Sequence, residues 1–145
     1  MKKILLVDDD PLILALYQHA LKIAGYEIKT AVNGKEALAL ITAAPPDLVL
    51  LDVMMPLMDG LTVLRELHKT KVARPPVIVI AGNQREYQAT REEARRAGAA
   101  AFLSKPFSPS QLLAIINEQL SKPQPSAESR EDQAVPTAPM LSAQR

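Results

Sequence analysis

The sequence predicts a doubly wound α/β fold, in which helices cover both faces of one five-stranded parallel sheet within a single domain. Strand and helix patterns alternate five times along the chain, as repeated strand–helix units require. Most of the strand candidates are short, continuous apolar runs, which are typical of strands buried on both faces. The chain has 145 residues, 48% of them hydrophobic, which is enough for one domain with a substantial core.

The five strands are predicted from these apolar runs, with a helical pattern after each of them. Their predicted bounds are Lys3–Val7, Glu27–Ala31, Leu48–Leu51, Val77–Ile80 and Ala101–Ser104.

The first helix is predicted to begin after Asp10, whose carboxylate is a suitable N-cap, with Pro11 in the first turn. Gly25 ends it, because glycine readily takes the left-handed conformation that closes a helix. Its inner apolar stripe is predicted to consist of Leu12, Leu16, Ala20 and Ile23.

The second helix is predicted to start at Asn33, with Glu36 placed three residues later to close a capping box. It ends before the proline pair at 45–46, since a residue that precedes proline disfavours the helical conformation. Its predicted buried residues are Leu38 and Ile41.

The third helix is predicted to be capped by Asp59 and to fade near Thr70. Its apolar side carries Leu61, Leu64 and Leu67.

The fourth helix is predicted from about Gln84 to Ala97, where Gly98 stops it. Its apolar stripe is mostly alanine, so it should bury little area and dock weakly. Two interpretations stay open: an ordinary solvated helix, or a mobile element that responds to events at the ends of the strands. The charged residues that crowd it are Glu86, Arg91, Glu92, Glu93, Arg95 and Arg96.

The fifth helix opens with the segment Ser108–Gln111, which combines a cap, a first-turn proline and a glutamine that can close a capping box. Its apolar face consists of Leu112, Leu113, Ile116 and Leu120. From Lys122 onward, prolines stand among Ser, Ala, Gln and Glu without any apolar period. Residues 122–145 are therefore predicted to be a disordered tail or linker.

Composition argues against several classes of function. The formal net charge is +1, so no overall field draws the chain to nucleic acid or to an anionic membrane. Cysteine is absent, which excludes disulfides and leaves oxygen or nitrogen as metal ligands. No stretch is long enough to cross a bilayer, and the apolar run after Lys2-Lys3 is too short for a signal peptide. We expect a cytoplasmic protein that binds neither nucleic acid nor membrane.

Charged residues follow three of the predicted strands. Asp8 and Asp9 follow the first strand, Asp52 the third and Lys105 the fifth. In parallel α/β sheets, ligands bind outside the carboxyl ends of the strands, so we expect these side chains to meet there, at what we call the carboxyl rim. Two carboxylates about 4 Å apart repel by about 4 kcal/mol at an effective dielectric of about 20. The acidic residues should therefore share protons or recruit a cation.

The ligand chemistry of the carboxyl rim favours a hard cation. Oxygen ligands without histidine or cysteine favour Mg²⁺ or Mn²⁺ over zinc. Lys105 supplies a second positive charge, so a dianionic phosphoryl group between the metal and Lys105 would be neutralised from both sides. A carboxylate beside that group can attack phosphorus and become an acyl phosphate.

Three motifs carry a resemblance to a known family. They are Ile4–Pro11, Leu50–Gly60 and Phe102–Phe107, which read ILLVDDDP, LLDVMMPLMDG and FLSKPF. In this order they resemble the receiver domain of two-component response regulators, over roughly residues 1–121. The resemblance implies a receiver domain at 1–121 with the flavodoxin-like topology of that family, in which the strand order is 2-1-3-4-5.

The resemblance also implies roles for individual residues. Asp52 matches the phospho-accepting aspartate, which also contributes to the metal site. Asp9 matches a direct Mg²⁺ ligand, and Asp8 matches one that acts partly through water. Met54 matches the position whose backbone carbonyl completes the metal site. Lys105 matches the lysine that pairs with the phosphoryl oxygens.

The resemblance further implies partners and a mode of signalling. The bond between Lys105 and Pro106 matches one that is cis in the family. The phosphoryl group would come from a histidine kinase or a phosphotransfer protein. The chain would not be an enzyme beyond phosphorylating and dephosphorylating itself. A downstream effector would read the face formed by the fourth helix, the fifth strand and the fifth helix.

The chain departs from the family at the switch positions. The family usually has Thr or Ser where the fourth strand ends, whereas Ala81 has no hydroxyl to bind a phosphoryl oxygen. Gly82 can offer its backbone N–H instead. Phe102, at the switch aromatic, can pack but has no phenol hydroxyl. An alternative function is therefore an interaction module that keeps the fold without depending on phosphorylation.

Two further expectations concern assembly and ligands. The segment Ala99–Ala101 stands where many DNA-binding relatives carry acidic residues that pair across a symmetric dimer, so a monomer or weak dimer is expected. A flavodoxin-like nucleotide or flavin binder is disfavoured, because no Gly-rich phosphate loop follows the first strand.

Overall fold

The computed structural model describes residues 1–53, 60–69 and 75–122. Five parallel strands form one sheet: β1 (Lys3–Val7), β2 (Glu27–Ala31), β3 (Leu48–Asp52), β4 (Val77–Ala81) and β5 (Ala101–Ser104). Their order across the sheet is β2-β1-β3-β4-β5. This confirms the predicted fold class and strand order. Each predicted strand agrees to within one residue, because only β3 and β4 extend one residue further, to Asp52 and Ala81.

The helices described here follow the strands in the predicted alternation. They are α1 (Pro11–Ile23), α2 (Gly34–Ala43), α3 (Gly60–Lys69), α4 (Gln84–Arg96) and α5 (Pro109–Ser121). The buried hydrophobic residues of α1 and α5 belong to one apolar cluster, and those of α2, α3 and α4 belong to another. The two groups of helices therefore cover opposite faces of the sheet. None of these helices combines the length and the apolar character that a membrane span would need.

Side chains of each strand alternate between the two apolar clusters, since successive residues of a strand point to opposite faces. In β1, Leu5 and Val7 pack towards α2, α3 and α4, whereas Ile4 and Leu6 pack towards α1 and α5. β3 and β4 are buried along their whole length. Burial on both faces explains why these strands read as continuous apolar runs rather than alternating ones.

Within residues 1–53, 60–69 and 75–122, polar side chains cap the starts of four helices. The capping box predicted for α5 is present, because the side chains of Ser108 and Gln111 each bind the other's backbone N–H. At α2 the predicted box closes one residue outside the cap, since Glu36 accepts from the N–H of Val32 at 2.9 Å. The N-cap residues of α1, α2, α4 and α5 are Asp10, Asn33, Asn83 and Ser108.

The predicted inner stripe of α1 is wrong. Leu12, Leu16 and Ile23 are 79%, 57% and 74% exposed, and Ala20 is only half-buried. The residues that α1 does bury are Leu14, Tyr17 and Leu21. α1 is apolar on nearly every side, so helical spacing fits either face, and the packing of α1 against the sheet and α5 decides between them.

The other helices bury most of the residues that the sequence indicated. Ile41 in α2 and both Leu64 and Leu67 in α3 are buried, while Leu38 and Leu61 are half-buried against the same cluster. Small or branched neighbours complete these faces, among them Ala37 and Val63.

The two last helices differ sharply in what they bury. α4 buries Ala94 alone, as predicted from an apolar stripe that is mostly alanine. α5 buries Leu112 and Ile116, with Leu113 and Leu120 half-buried. Gln119 is also buried, at 5% exposed, and the apolar periodicity of α5 gave no sign of it.

Several predictions fall outside the described residues. These are the Asp59 cap, the fading of the third helix near Thr70, the backbone carbonyl of Met54 and the tail from residue 123 to 145.

Candidate functional site

The carboxyl rim brings together residues that are far apart in the sequence. Asp8 directly follows β1, Asp52 is the last residue of β3 and Lys105 directly follows β5. β1 and β3 are neighbours in the sheet, and β4 alone separates β3 from β5. The strand order therefore places the acidic residues and the lysine at the carboxyl ends of β1, β3 and the edge strand β5, on one side of the sheet.

Three carboxylates converge at this rim. Asp8, Asp9 and Asp52 each offer an oxygen, and these oxygens lie within 4.8 Å of one another. Asp8 and Asp52 are only 3% and 5% exposed, whereas Asp9 is exposed to solvent. Hard divalent cations such as Mg²⁺ take one or two carboxylates, keep several waters and complete their shell with phosphate oxygens. The donor set therefore fits such a cation, with its open side towards solvent.

Lys105 supplies the positive charge of the site. Its Nζ lies 3.4 Å from Asp8 Oδ2 and 3.8 Å from Asp52 Oδ2. Burial of the ammonium group acts to lower the pKa of Lys105, but the negative charges of Asp52 and Asp8 outweigh it and raise that pKa above its ordinary value. Lys105 therefore stays charged at neutral pH and can meet an anion beside Asp52.

Backbone hydrogen bonds hold the acidic segment Asp8–Asp10 in place. The N–H of Asp8 donates to the carbonyl of Ala31 at 3.1 Å and continues the β1–β2 ladder past the end of β1. The N–H of Asp10 donates to Asp8 Oδ1 at 2.9 Å, while Asp10 Oδ1 accepts from the N–H of Leu12 at 2.9 Å. Asp10 is thus the helix cap, and Asp8 and Asp9 are the two residues of this segment that join Asp52 in the three-carboxylate cluster.

Gly60 is a structural requirement that the sequence motifs did not reveal. A Cβ atom built on Gly60 would lie 2.5 Å from the carbonyl oxygen of Asp52 and 2.8 Å from Cα of Val53. The N–H of Gly60 donates to the carbonyl of Val53 at 3.2 Å. Only glycine lets α3 begin this close behind Asp52. The available signal was the Asp59-Gly60 pair at the predicted start of the third helix.

An aromatic pair also adjoins the site. The rings of Tyr17 and Phe107 stack with centroids 5.3 Å apart and an interplanar angle of 23°. Burial raises the pKa of Tyr17, with the charge of Lys105 opposing the rise and that of Asp8 adding to it. Tyr17 therefore lies close enough to Lys105 and Asp8 for their charges to affect its pKa. The sequence prediction missed it, because it placed the wrong face of α1 inward.

The two residues predicted as switch positions lie on β4 and β5. Ala81 is buried at the end of β4, and Phe102 is half-buried on β5. The Phe102 ring meets that of Tyr87 edge-on, with centroids 6.4 Å apart. The N–H of Gly82, which the sequence suggested for phosphoryl binding, donates to the carboxylate of Glu86. The sequence prediction did not identify Glu86 as a residue of the site.

Two further contacts connect the ends of β4 and β5 to α4. The N–H of Lys105 donates to the carbonyl of Ala81 at 2.9 Å, so the two strands stay paired up to the site. Ser104 Oγ, beside Ala81 in the sheet register, donates to Gln84 Oε1 at 3.1 Å. The bond between Lys105 and Pro106 is cis.

Comparison with known proteins identifies the family. The model of the response regulator receiver domain matches residues 4–117. A transcriptional regulatory protein for alkaline phosphatase synthesis, PhoP of Bacillus subtilis, is 35% identical over 91% of this chain and 55% of its own length. The response regulator MprA of Mycolicibacterium vanbaalenii is 38% identical over 92% of this chain and 56% of its own. The chain thus spans little more than half the length of these relatives.

Solved structures agree with that assignment. The receiver domain of the Francisella response regulator 1452 superposes with a TM-score of 0.76 at 31% identity, covering 83% of this chain and 97% of that one. The chemotaxis protein CheY4 of Vibrio cholerae gives a TM-score of 0.73 at 32% identity, covering 82% and 98%. The family expected from the three motifs is confirmed: the chain belongs to the receiver domains of two-component response regulators.

Proposed function

We propose that this receiver domain accepts a phosphoryl group on Asp52 in a Mg²⁺-dependent reaction. The donor would be a histidine kinase or a phosphotransfer protein. The observation that carries the proposal is the convergence of three carboxylates and one ammonium group at the end of the sheet. We assign the domain to residues 1–121, beyond the matched residues 4–117 at both ends.

The geometry supports Asp52 as the acceptor. Asp52 is the carboxylate on the central strand β3, and its oxygen lies within 4 Å of Lys105 Nζ. In the proposed reaction, an Asp52 oxygen forms a new P–O bond as the donor's P–N bond breaks. The leaving imidazole keeps the electron pair of that bond and takes a proton from solvent.

The surrounding residues would position the phosphoryl group and neutralise its charge. Asp8, Asp9 and the backbone carbonyl of Met54 would hold the cation together with Asp52. A bound Mg²⁺ supplies charge neutralisation at the phosphoryl oxygens. Lys105 would bind the oxygens on the other side, with the N–H of Gly82 as a further donor.

The proposed output is a change in the face formed by α4, β5 and α5, which a downstream effector reads. We propose a monomer or weak dimer with no enzymatic activity beyond phosphorylation and dephosphorylation of itself. Neither nucleic acid nor membrane is proposed as a direct partner. The cytoplasmic location stays a prediction.

Intact mass spectrometry tests phosphoryl acceptance directly. After incubation with acetyl phosphate and MgCl₂, the wild type should gain the mass of one phosphoryl group, and excess EDTA should prevent the gain. Asp52→Asn should gain nothing. Asp10→Asn is the matched control, because Asp10 belongs to the same acidic rim but caps α1, so it should still be phosphorylated. A wild type that binds Mg²⁺ but takes no phosphoryl group would refute the proposal.

A second candidate function is an interaction module that does not depend on phosphorylation. Ala81 favours it, because the end of β4 carries no hydroxyl that could bind a phosphoryl oxygen. Beryllofluoride, a mimic of the phosphoryl group, separates the two candidates. If the mimic binds at Asp52 but amide exchange across α4, β5 and α5 does not change, the module is supported. A clear change in exchange would support the switch.

A further inference from the structure

The backbone N–H of Gly82, next to the predicted switch position Ala81, already donates to a carboxylate of this chain. Glu86 lies in the first turn of α4 and accepts a hydrogen bond from the N–H of Gly82. Asn83, the cap of α4, accepts from the N–H of Glu86 at 2.8 Å. Gly82 directly follows β4, which lies between the strand of Asp52 and the strand that leads to Lys105.

We propose that Glu86 competes within the chain with the phosphoryl group for the N–H of Gly82. Phosphorylation of Asp52 would then displace the Glu86 carboxylate and change the start of α4. The inference rests on the proposed phosphorylation of Asp52, and it adds a residue and a route for the resulting signal.

The physical argument is one of charge and tethering. One N–H cannot serve two anions well, and a dianionic phosphoryl group repels a carboxylate close to it. The phosphoryl group would be fixed by its covalent bond to Asp52, by Lys105 and by the cation. Glu86 sits on a flexible, half-exposed side chain, so Glu86 is the group that should leave.

Loss of this contact would act on α4. A carboxylate near the first turn of a helix satisfies a free N–H and interacts favourably with the helix dipole. Its departure would loosen a helix that buries only Ala94. The charge of Glu86 would thus transmit phosphorylation to α4, even though Ala81 has no hydroxyl that could bind a phosphoryl oxygen.

The chain contains its own control for this proposal. Glu36 makes the same contact at α2, where it accepts from the N–H of Val32 at 2.9 Å and its own N–H donates to Asn33 at 2.8 Å. That contact follows β2, an edge strand that β1 separates from the strand of Asp52. Substitution of Glu36 should therefore test the loss of such a cap without the proposed competition.

The experiment measures the affinity of the full chain for beryllofluoride in the presence of Mg²⁺. Glu86→Ala should bind the mimic about two- to tenfold more tightly than the wild type, the range that a net hydrogen bond is worth. Glu86→Gln should gain part of this effect, since it loses the charge but keeps an acceptor. Glu36→Ala should match the wild type, and Asp52→Asn should not bind the mimic.

Amide exchange gives a second readout of the same proposal. Beryllofluoride should speed exchange at the first-turn amides of α4 in the wild type, and it should have no such effect in Glu86→Ala. Equal affinity of wild type and Glu86→Ala would overturn the competition while leaving phosphorylation of Asp52 intact. Equal tightening by Glu36→Ala would also overturn it. A wild type that does not bind the mimic at Asp52 would remove both proposals.

Discussion

α2 and α4 begin in the same way and are held against the sheet in different ways. Each starts with an asparagine cap, Asn33 or Asn83, and each has a glutamate three residues later that reaches back to the N–H before the cap. Beyond this first turn the likeness ends. α2 buries Gly34, Ala37 and Ile41, whereas α4 buries Ala94 alone.

α4 is held by an ion pair, a hydrogen bond and an edge-on ring contact, whereas α2 is held by buried apolar side chains. Arg65 of α3 pairs with Glu93, and both side chains are about half exposed. Gln84 accepts from Ser104, and the Tyr87 ring meets the Phe102 ring edge-on. Such contacts are weaker than apolar burial in a core. The comparison teaches that the local sequence determines how a helix starts, whereas tertiary burial determines how firmly it docks.

The largest expected difference follows from truncating the apolar anchor of α2. Ile41 is 4% exposed, so Ile41→Ala should lower the free energy of unfolding by about 2–5 kcal/mol. Tyr87→Ala on α4 should cost less, about 1 kcal/mol, because it removes an edge-on ring pair from a half-buried position. Urea unfolding measures both values. The reverse order of the two losses would contradict the comparison.

Removal of each cap should have a similar local effect and a different global one. Asn33→Ala and Asn83→Ala each remove a side chain that accepts an N–H bond at 2.8 Å, worth about 1 kcal/mol. Asn33→Ala should lower the global stability, because α2 is part of the core. Asn83→Ala should mainly increase amide exchange within α4, because a weakly docked helix opens without global unfolding. Equal changes in global stability would refute this.

The ion pair between α3 and α4 should have a smaller effect. Arg65→Ala should reduce stability by less than about 1 kcal/mol, because both side chains of the pair are about half exposed. Added salt should shrink the difference from the wild type. Urea unfolding at low and high salt measures it, with Lys69→Ala, which breaks a pair within α3, as the control. A large loss that salt does not affect would mean that α4 is firmly anchored.

The smallest effect should come from acid. Hydrogen bonding to Arg95 lowers the pKa of Glu92, and Arg96 contributes in the same direction. A carboxyl group with a lowered pKa stabilises the folded helix above its ordinary pKa of about 4.3, and this contribution is lost as the pH falls through the lowered value. The helical Cα chemical shifts of α4 should therefore weaken in acid, as the pH falls through the lowered pKa of Glu92. Glu92→Gln should reduce this pH dependence at the last turn of α4, where Glu92 meets Arg95 and Arg96, and an unchanged acid response there would contradict the assignment.

The sheet could be predicted nearly to the residue, and the face of α1 could not. Strands between two apolar layers must be apolar throughout, so their sequence marks their bounds. α1 is apolar on almost every side, so both the exposed Leu12 and Leu16 and the buried Leu14 and Tyr17 fit a helical stripe. The direction from which the sheet and α5 approach settles the choice, and helical spacing does not encode that direction.

The charged groups of the site could be predicted because strand order brings strand ends together. Asp8, Asp52 and Lys105 needed only the topology to meet. The contact between Glu86 and Gly82 could be seen only once the direction of the Glu86 side chain at the start of α4 was known. The spacing of Asn83 and Glu86 nevertheless repeats the Asn-Glu pair that was recognised at the second helix. That repeat was the available signal.

Gly60 has a consequence for saturation mutagenesis of this chain. A library that varies every position would find few functional clones with a side chain at position 60, because a Cβ there meets the backbone of Asp52 at 2.5 Å. Position 60 would then appear as intolerant as a reacting residue, although glycine brings no reactive group. Depletion at position 60 would then report a steric clash, whereas depletion at position 52 would report the loss of the proposed phosphoryl acceptor.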